Sequence, residues 1–261
     1  MNKAVVCVSF GTSVPAARES ITAVEDALRQ AAGDRLFVTA LTSPTIRRIL
    51  KERGEAASSL DEALETLREQ GVTEVLVQPT HILRGHEYDR LQREAEAWRD
   101  RFETLRVGKP LLADTEDLRA LAAALSAAYP PRAEETLMLI GHGTDHAADM
   151  TYSALQTAFR LLGRTDVLVG TVEGWPAFDE VLAQLRQRWG SSVHLVPLLL
   201  VAGDHARNDM AGGGPDSWRS RLEAEGYTVR VTLRGLGLLP AVRELYRTHL
   251  VRALEEGGHG L

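Results

Sequence analysis

Read from its amino terminus, the chain alternates short, nearly uninterrupted apolar runs with longer stretches whose apolar residues recur every three or four positions. The apolar runs predict strands over residues 4–9, 36–41, 74–78, 137–140, 167–172, 193–201 and 228–233. Several are almost continuous Val and Leu, as strands buried on both faces of a parallel sheet must be. The helical stretches between them carry start and stop signals. Ser13 followed by Val14-Pro15 reads as a capped start, with proline near the first turn, where its missing N–H costs little. "SPTIRRILKERG" (43–54) and "SLDEALETLREQG" (59–71) each end on a glycine, a common helix stop. "DTEDLRALAAALSAAYPPR" (114–132) is acidic early and stops at Pro130-Pro131. Such alternation predicts an α/β fold with helices on both faces of the sheet.

Pro130-Pro131 also lies near mid-chain, and the pattern restarts after it. The chain is therefore read as two similar lobes, 1–130 and 131–261, each a mainly parallel sheet flanked by helices. "VSFGTS" (8–13) corresponds to "IGHGTD" (140–145), so Gly11 pairs with Gly143, and Pro44 in "LTSPTI" pairs with Pro176 in "EGWPAF" at the same offset. "PTHILRG" (79–85) has the shape of "PLLLVAG" (197–203). Two such halves facing one another would line a cleft with strand C-termini, where open α/β sheets bind ligands.

Three strand ends in the second half deliver chemistry. His142 follows the first, Glu173 the second and His205 the third, in "GDHARND". Each has a plainer reading alone: a turn residue, a carboxylate near a helix start, an exposed loop residue. In a parallel sheet the three ends are neighbours, and two imidazoles with one carboxylate suit a divalent ion such as cobalt, nickel, iron or zinc. Three ligands leave coordination positions open, as catalysis requires. The matching places in the first half hold Phe10, Leu41 and Glu87, so one half alone carries this metal set. His146, Asp204 and Asp209 are the candidates for orienting an imidazole through its far nitrogen. "RGHEYDR" (84–90) puts Arg84, His86, Glu87 and Tyr88 at a strand end of the first half. "AGGGPDSW" (211–218) has glycines but no lysine, so it is no phosphate cradle, and no HExxH, nucleophile elbow or CxxC is present.

Composition narrows the class. Of 261 residues 44% are hydrophobic and the net charge is −6, so no basic field recommends nucleic acid or an anionic membrane as partner. The single cysteine, Cys7, lies in an apolar run and can form no internal disulfide, which fits a reducing compartment. No apolar segment approaches the ~18 residues that span a bilayer, and the N-terminal run reads as a strand rather than a signal peptide. A cytoplasmic location is expected.

Together "VSFGTS", "QPTHILRGHEYD", "LIGHGTDHAADMTYSAL", "GTVEGWP" and "PLLLVAGDHARNDMAG" resemble the anaerobic-type sirohydrochlorin cobaltochelatases (CbiK type), class II chelatases related to protoporphyrin ferrochelatase. The resemblance runs from about residue 4 to about residue 250, and the GHGT and GDHARNDM segments are its most specific parts. It implies a two-lobed chelatase-like fold that inserts cobalt(II) into sirohydrochlorin, releasing two protons, early in anaerobic cobalamin synthesis. His142, Glu173 and His205 match the family's metal ligands and so its catalytic set. The carboxylate-rich ring would lie between the lobes against Phe10, Gly11 and Thr12, with Arg84 and Arg207 as anchors and Glu87 and Tyr88 on the rim. No organic cofactor is implied; cobalt is a substrate, and homo-oligomerisation is left open. The alternatives are a chelatase for nickel or iron or for another tetrapyrrole, a His₂Glu zinc hydrolase, and a non-catalytic tetrapyrrole or metal carrier.

Overall fold

The computed structural model describes residues 2–256. Its elements run β1 (Lys3–Ser9), α1 (Pro15–Ala32), β2 (Leu36–Leu41), α2 (Pro44–Glu52), α3 (Leu60–Glu69), β3 (Glu74–Pro79), α4 (His86–Glu96), β4 (Thr104–Val107) and α5 (Thr115–Ala128). They continue with β5 (Glu135–Gly141), α6 (Met150–Leu161), β6 (Val167–Thr171), α7 (Phe178–Leu185), β7 (Ser192–Pro197), α8 (Trp218–Ala224), β8 (Thr228–Val231) and α9 (Pro240–Glu256). The strands form two four-stranded parallel sheets of the same topology, β2-β1-β3-β4 and β6-β5-β7-β8. Helices cover the apolar strands: β1 is buried at every position from Ala4 to Ser9, and β6 throughout.

The chain forms two compact units. The first comprises the chain through Ala113 and again from Arg243; the second is Asp114–Val242. This differs from a division at Pro130-Pro131. Helix α5 packs against α6, and Arg164 donates to the carbonyls of Ser126 and Tyr129 at its end, so α5 belongs with the second sheet. Helix α9 returns to the first: the Tyr246 hydroxyl donates to the Thr80 carbonyl at 2.7 Å, and Arg106 donates to the Ala253 carbonyl.

Local details follow the chemistry of the residues. Ser59 and Glu62 close a capping box on α3, and Asp114 with Asp117 does the same on α5, satisfying amides that a helix start leaves orphaned. The N-cap of α1 is Val14 rather than Ser13; the Val14 amide donates instead to Thr12 Oγ1. The long run 193–201 stops pairing at Pro197. Beyond it the carbonyls of Leu199 and Leu200 accept from Leu236 and Gly237, drawing the chain off the sheet. β4 is an edge strand interrupted by Arg106, too short and too polar for the apolar pattern to show.

Candidate metal centre

In the second unit three parallel strands end side by side and hand the chain to loops. β5 ends at Gly141, so His142 is the first residue past it; β6 ends at Thr171, with Glu173 two residues on; β7 leads through 198–204 to His205. One ligand atom from each of His142, Glu173 and His205 lies within 4.8 Å of the others. The side chains are accessible, 43% exposed for both histidines and 58% for Glu173, so an ion and a bulky ligand can both reach them.

Hydrogen bonds fix the imidazoles. His205 Nδ1 lies 2.7 Å from Asp209 Oδ2, one turn further along the wide helical turn Ala206–Met210. An ionised carboxylate only accepts, so Nδ1 carries the proton and Nε2 a lone pair. His142 Nδ1 lies 3.0 Å from the Gly143 carbonyl, which also only accepts, leaving its Nε2 with a lone pair too. The two Nε2 atoms face each other at 3.1 Å across rings inclined at 76°. Two lone pairs so close call for a cation between them, a proton or a metal. Metal–nitrogen bonds of about 2.0–2.1 Å would put two ligating nitrogens about 2.9 Å apart at a right angle and about 3.3 Å apart in a tetrahedron. The observed separation falls between these. Glu173 flanks the pair from the neighbouring loop, its Oε2 3.8 Å from His142 Nδ1.

The framework beneath is close-packed. The Tyr152 ring fills the space beside Gly141, where a Cβ would lie 2.2 Å from Cε1, and the Gly143 amide donates to its hydroxyl. Burial pushes the Tyr152 hydroxyl up to about 12, so it stays a neutral phenol. A Cβ on Gly143 would meet Gly174 N at 2.2 Å, and the Glu173 amide donates to the His142 carbonyl at 2.7 Å. The loops bearing His142 and Glu173 are thus in backbone contact.

The other expected residues are distributed differently. Of the candidates for orienting an imidazole, Asp209 does so. His146 instead accepts from the Ala148 amide within its own turn, and Asp204 is exposed. Arg207 is exposed and donates to the Ala202 carbonyl. Phe10, Gly11, Thr12, Arg84, Glu87 and Tyr88 all belong to the first unit. Phe10 is 49% exposed, a large apolar surface just past β1, and Arg84 is exposed. Thr12 is mostly buried and holds the Val14 amide. Glu87 keeps one buried oxygen without a hydrogen-bond partner. Tyr88 departs from the rim expectation: it is 5% exposed, and its hydroxyl donates to the Gly108 carbonyl while accepting from Gln92. Sequence reading missed Tyr152 and Asp149, whose partners are backbone amides that no spacing rule points to.

Known proteins resemble this chain in sequence and fold. Residues 3–255 match the family model described as cobalt chelatase (CbiK). The sirohydrochlorin cobaltochelatase of Salmonella typhimurium is 40% identical, with 97% of each chain covered. The sirohydrochlorin cobaltochelatase CbiKC of Nitratidesulfovibrio vulgaris is 35% identical over 97% of this chain and 90% of its own. Two solved structures share the fold at low identity. SirB from Bacillus subtilis, determined with Fe3+, has a TM-score of 0.67 at 17% identity, covering 98% of both chains. CbiX, described as the terminal enzyme of siroheme biosynthesis in denitrifying bacteria, has a TM-score of 0.54 at 16% identity, covering 97% of this chain and 99% of its own. With a family model spanning nearly its whole length and relatives at these identities, the chain belongs to the CbiK family of cobalt chelatases.

Proposed function

We infer that this protein is a sirohydrochlorin cobaltochelatase, inserting cobalt(II) into sirohydrochlorin with release of two protons, and that His142, Glu173 and His205 hold the metal before transfer. Family membership supports the reaction. The observation that carries the site is the pair of Nε2 atoms facing each other at 3.1 Å beside a carboxylate. Cobalt is a substrate in this reading, the tetrapyrrole is the other, and no organic cofactor is needed. The reaction would take place in the cytoplasm, in the early-cobalt, anaerobic route to cobalamin.

Metallation replaces two pyrrole N–H bonds with bonds to cobalt, so the protein must accept two protons while it gives up one ion. Each imidazole that lets cobalt go recovers the lone pair that bound it, and so becomes a base where a proton is being displaced. Neutral imidazole suits this at neutral pH, its unperturbed pKa being about 6.5. The His142–His205 pair is placed to receive one proton where cobalt leaves, and Glu173, exposed to solvent, to relay the other to water.

The test is anaerobic absorbance spectroscopy of sirohydrochlorin with cobalt(II), run in weak buffer with a pH indicator. Conversion far above the enzyme-free rate, with two protons released per ring, is expected. A ring that binds and perturbs its spectrum but is metallated no faster than the control would leave a carrier and overturn the enzyme reading.

A further inference from the structure

Asp149 precedes α6 at the N-cap position, where an aspartate ordinarily accepts from the first-turn amides; here its side chain makes no such bond. Its carboxylate is instead divided between the two loops that bear His142 and Glu173. Oδ1 accepts from the Thr144 amide at 2.9 Å and Oδ2 from the Trp175 amide at 2.6 Å. Each amide lies two residues beyond a proposed ligand. Gly174 makes room for this arrangement: a Cβ there would lie 2.3 Å from Asp149 Oδ1, and its three nearest atoms would all belong to the Asp149 carboxylate. Backbone hydrogen bonds already join the two segments where they leave the sheet, from Val172 N to the Gly141 carbonyl and from Glu173 N to the His142 carbonyl. Asp149 ties them again beyond the proposed ligands, so that each proposed ligand is held from both sides.

We propose that Asp149 is a positioning residue that fixes the spacing of His142 and Glu173 and so sets how tightly the centre holds cobalt. The proposal rests on the reading that His142, Glu173 and His205 bind the metal. Only a carboxylate serves here: an amide of the same shape has one acceptor oxygen and would turn its NH₂ toward the other N–H.

The experiment compares the full chain with Asp149→Asn, Gly174→Ala and His142→Ala. Cobalt(II) is titrated against each while its visible d–d absorption is recorded, alongside kcat, KM for sirohydrochlorin and the melting temperature. Asp149→Asn should weaken the cobalt dissociation constant about tenfold, the low end of what groups orienting metal ligands are worth. It should also alter the d–d band and leave KM for the ring unchanged. Gly174→Ala, which displaces the carboxylate from the other side, should shift affinity and band in the same direction; it carries the test if Asp149→Asn does not fold. A merely structural residue would lower the melting temperature without moving the dissociation constant or band of folded molecules. Wild-type cobalt binding in His142→Ala would overturn the reading of the centre itself. Loss of binding in His142→Ala with wild-type affinity and band in Asp149→Asn, or in Gly174→Ala where only that variant folds, would keep the centre and overturn the role of Asp149.

Discussion

Adding one methyl group at Gly143 tests whether the two ligand loops must touch. Gly143 has φ +87°, and a Cβ there would sit 2.2 Å from Gly174 N, 2.7 Å from Gly174 Cα and 2.9 Å from the Glu173 carbonyl carbon. All three are backbone atoms, so no side chain can swing aside. The loops would have to separate by roughly 1 Å to restore ordinary contact, and a misplacement of that size can reduce a rate about 100-fold. Gly163 supplies the control. Its φ is +76°, yet a Cβ there meets nothing within 4 Å. Gly163→Ala should therefore show only the left-handed backbone penalty of about 1–2 kcal/mol, a fall in melting temperature of a few degrees with full activity. Gly143→Ala adds the steric term and should reach about 3–4 kcal/mol, near the upper end for single substitutions. It should also lose most chelatase activity in the fraction that remains folded. Melting curves and cobalt insertion measured on both variants decide the matter. Equal destabilisation, with activity kept in Gly143→Ala, would refute the claim that loop contact sets the site.

Two further predictions follow from single residues. Asp209→Ala removes the acceptor that holds the His205 Nδ1 proton; both groups are nearly half exposed, so cobalt affinity should fall about tenfold, read by titration, and an unchanged affinity would show that the tautomer is set otherwise. His194, buried on β7 with Nε2 2.8 Å from Thr232 Oγ1, is pushed down to about 4, by burial first and by Arg230 next. Its folded pKa lies below the unfolded value near 6.5, so the unfolded chain takes up more protons between those values. Stability is level above about pH 6.5 and falls as pH drops toward 4, by about 2 kcal/mol at pH 5 from this residue alone. Denaturant unfolding at pH 7 and pH 5 should show His194→Gln losing about 2 kcal/mol less than wild type over that interval, and equal losses would refute the assignment.

The parts of the molecule legible in the sequence are those in which one physical demand dominates. β1, β5, β6 and β7 are buried on both faces along most of their length and are mostly apolar there, so their runs stand out. Parallel strands deliver their C-terminal residues to one edge, which is why His142, Glu173 and His205 could be grouped despite their separation. β4 was hidden because an edge strand tolerates Arg106 and Thr104. The placement of α5 with the second unit and most of α9 with the first was hidden because periodicity shows that a helix has an apolar face, not which sheet covers it. Tyr88 read as a rim residue because its segment follows a strand end; its place is decided by the Gly108 carbonyl, twenty positions away. Asp149 has the look of an ordinary helix cap, and only the fold brings an amide of its own loop and one of the β6–α7 loop to its oxygens.

The measurement that bears most directly on the account is the anaerobic rate of cobalt(II) insertion into sirohydrochlorin by wild type, His142→Ala and His205→Ala, each checked for folding, against an enzyme-free control. The account predicts rapid conversion by wild type and rates near the control for both variants, because each removes one of the two nitrogens facing each other at 3.1 Å. Insertion at the wild-type rate by either variant would contradict it.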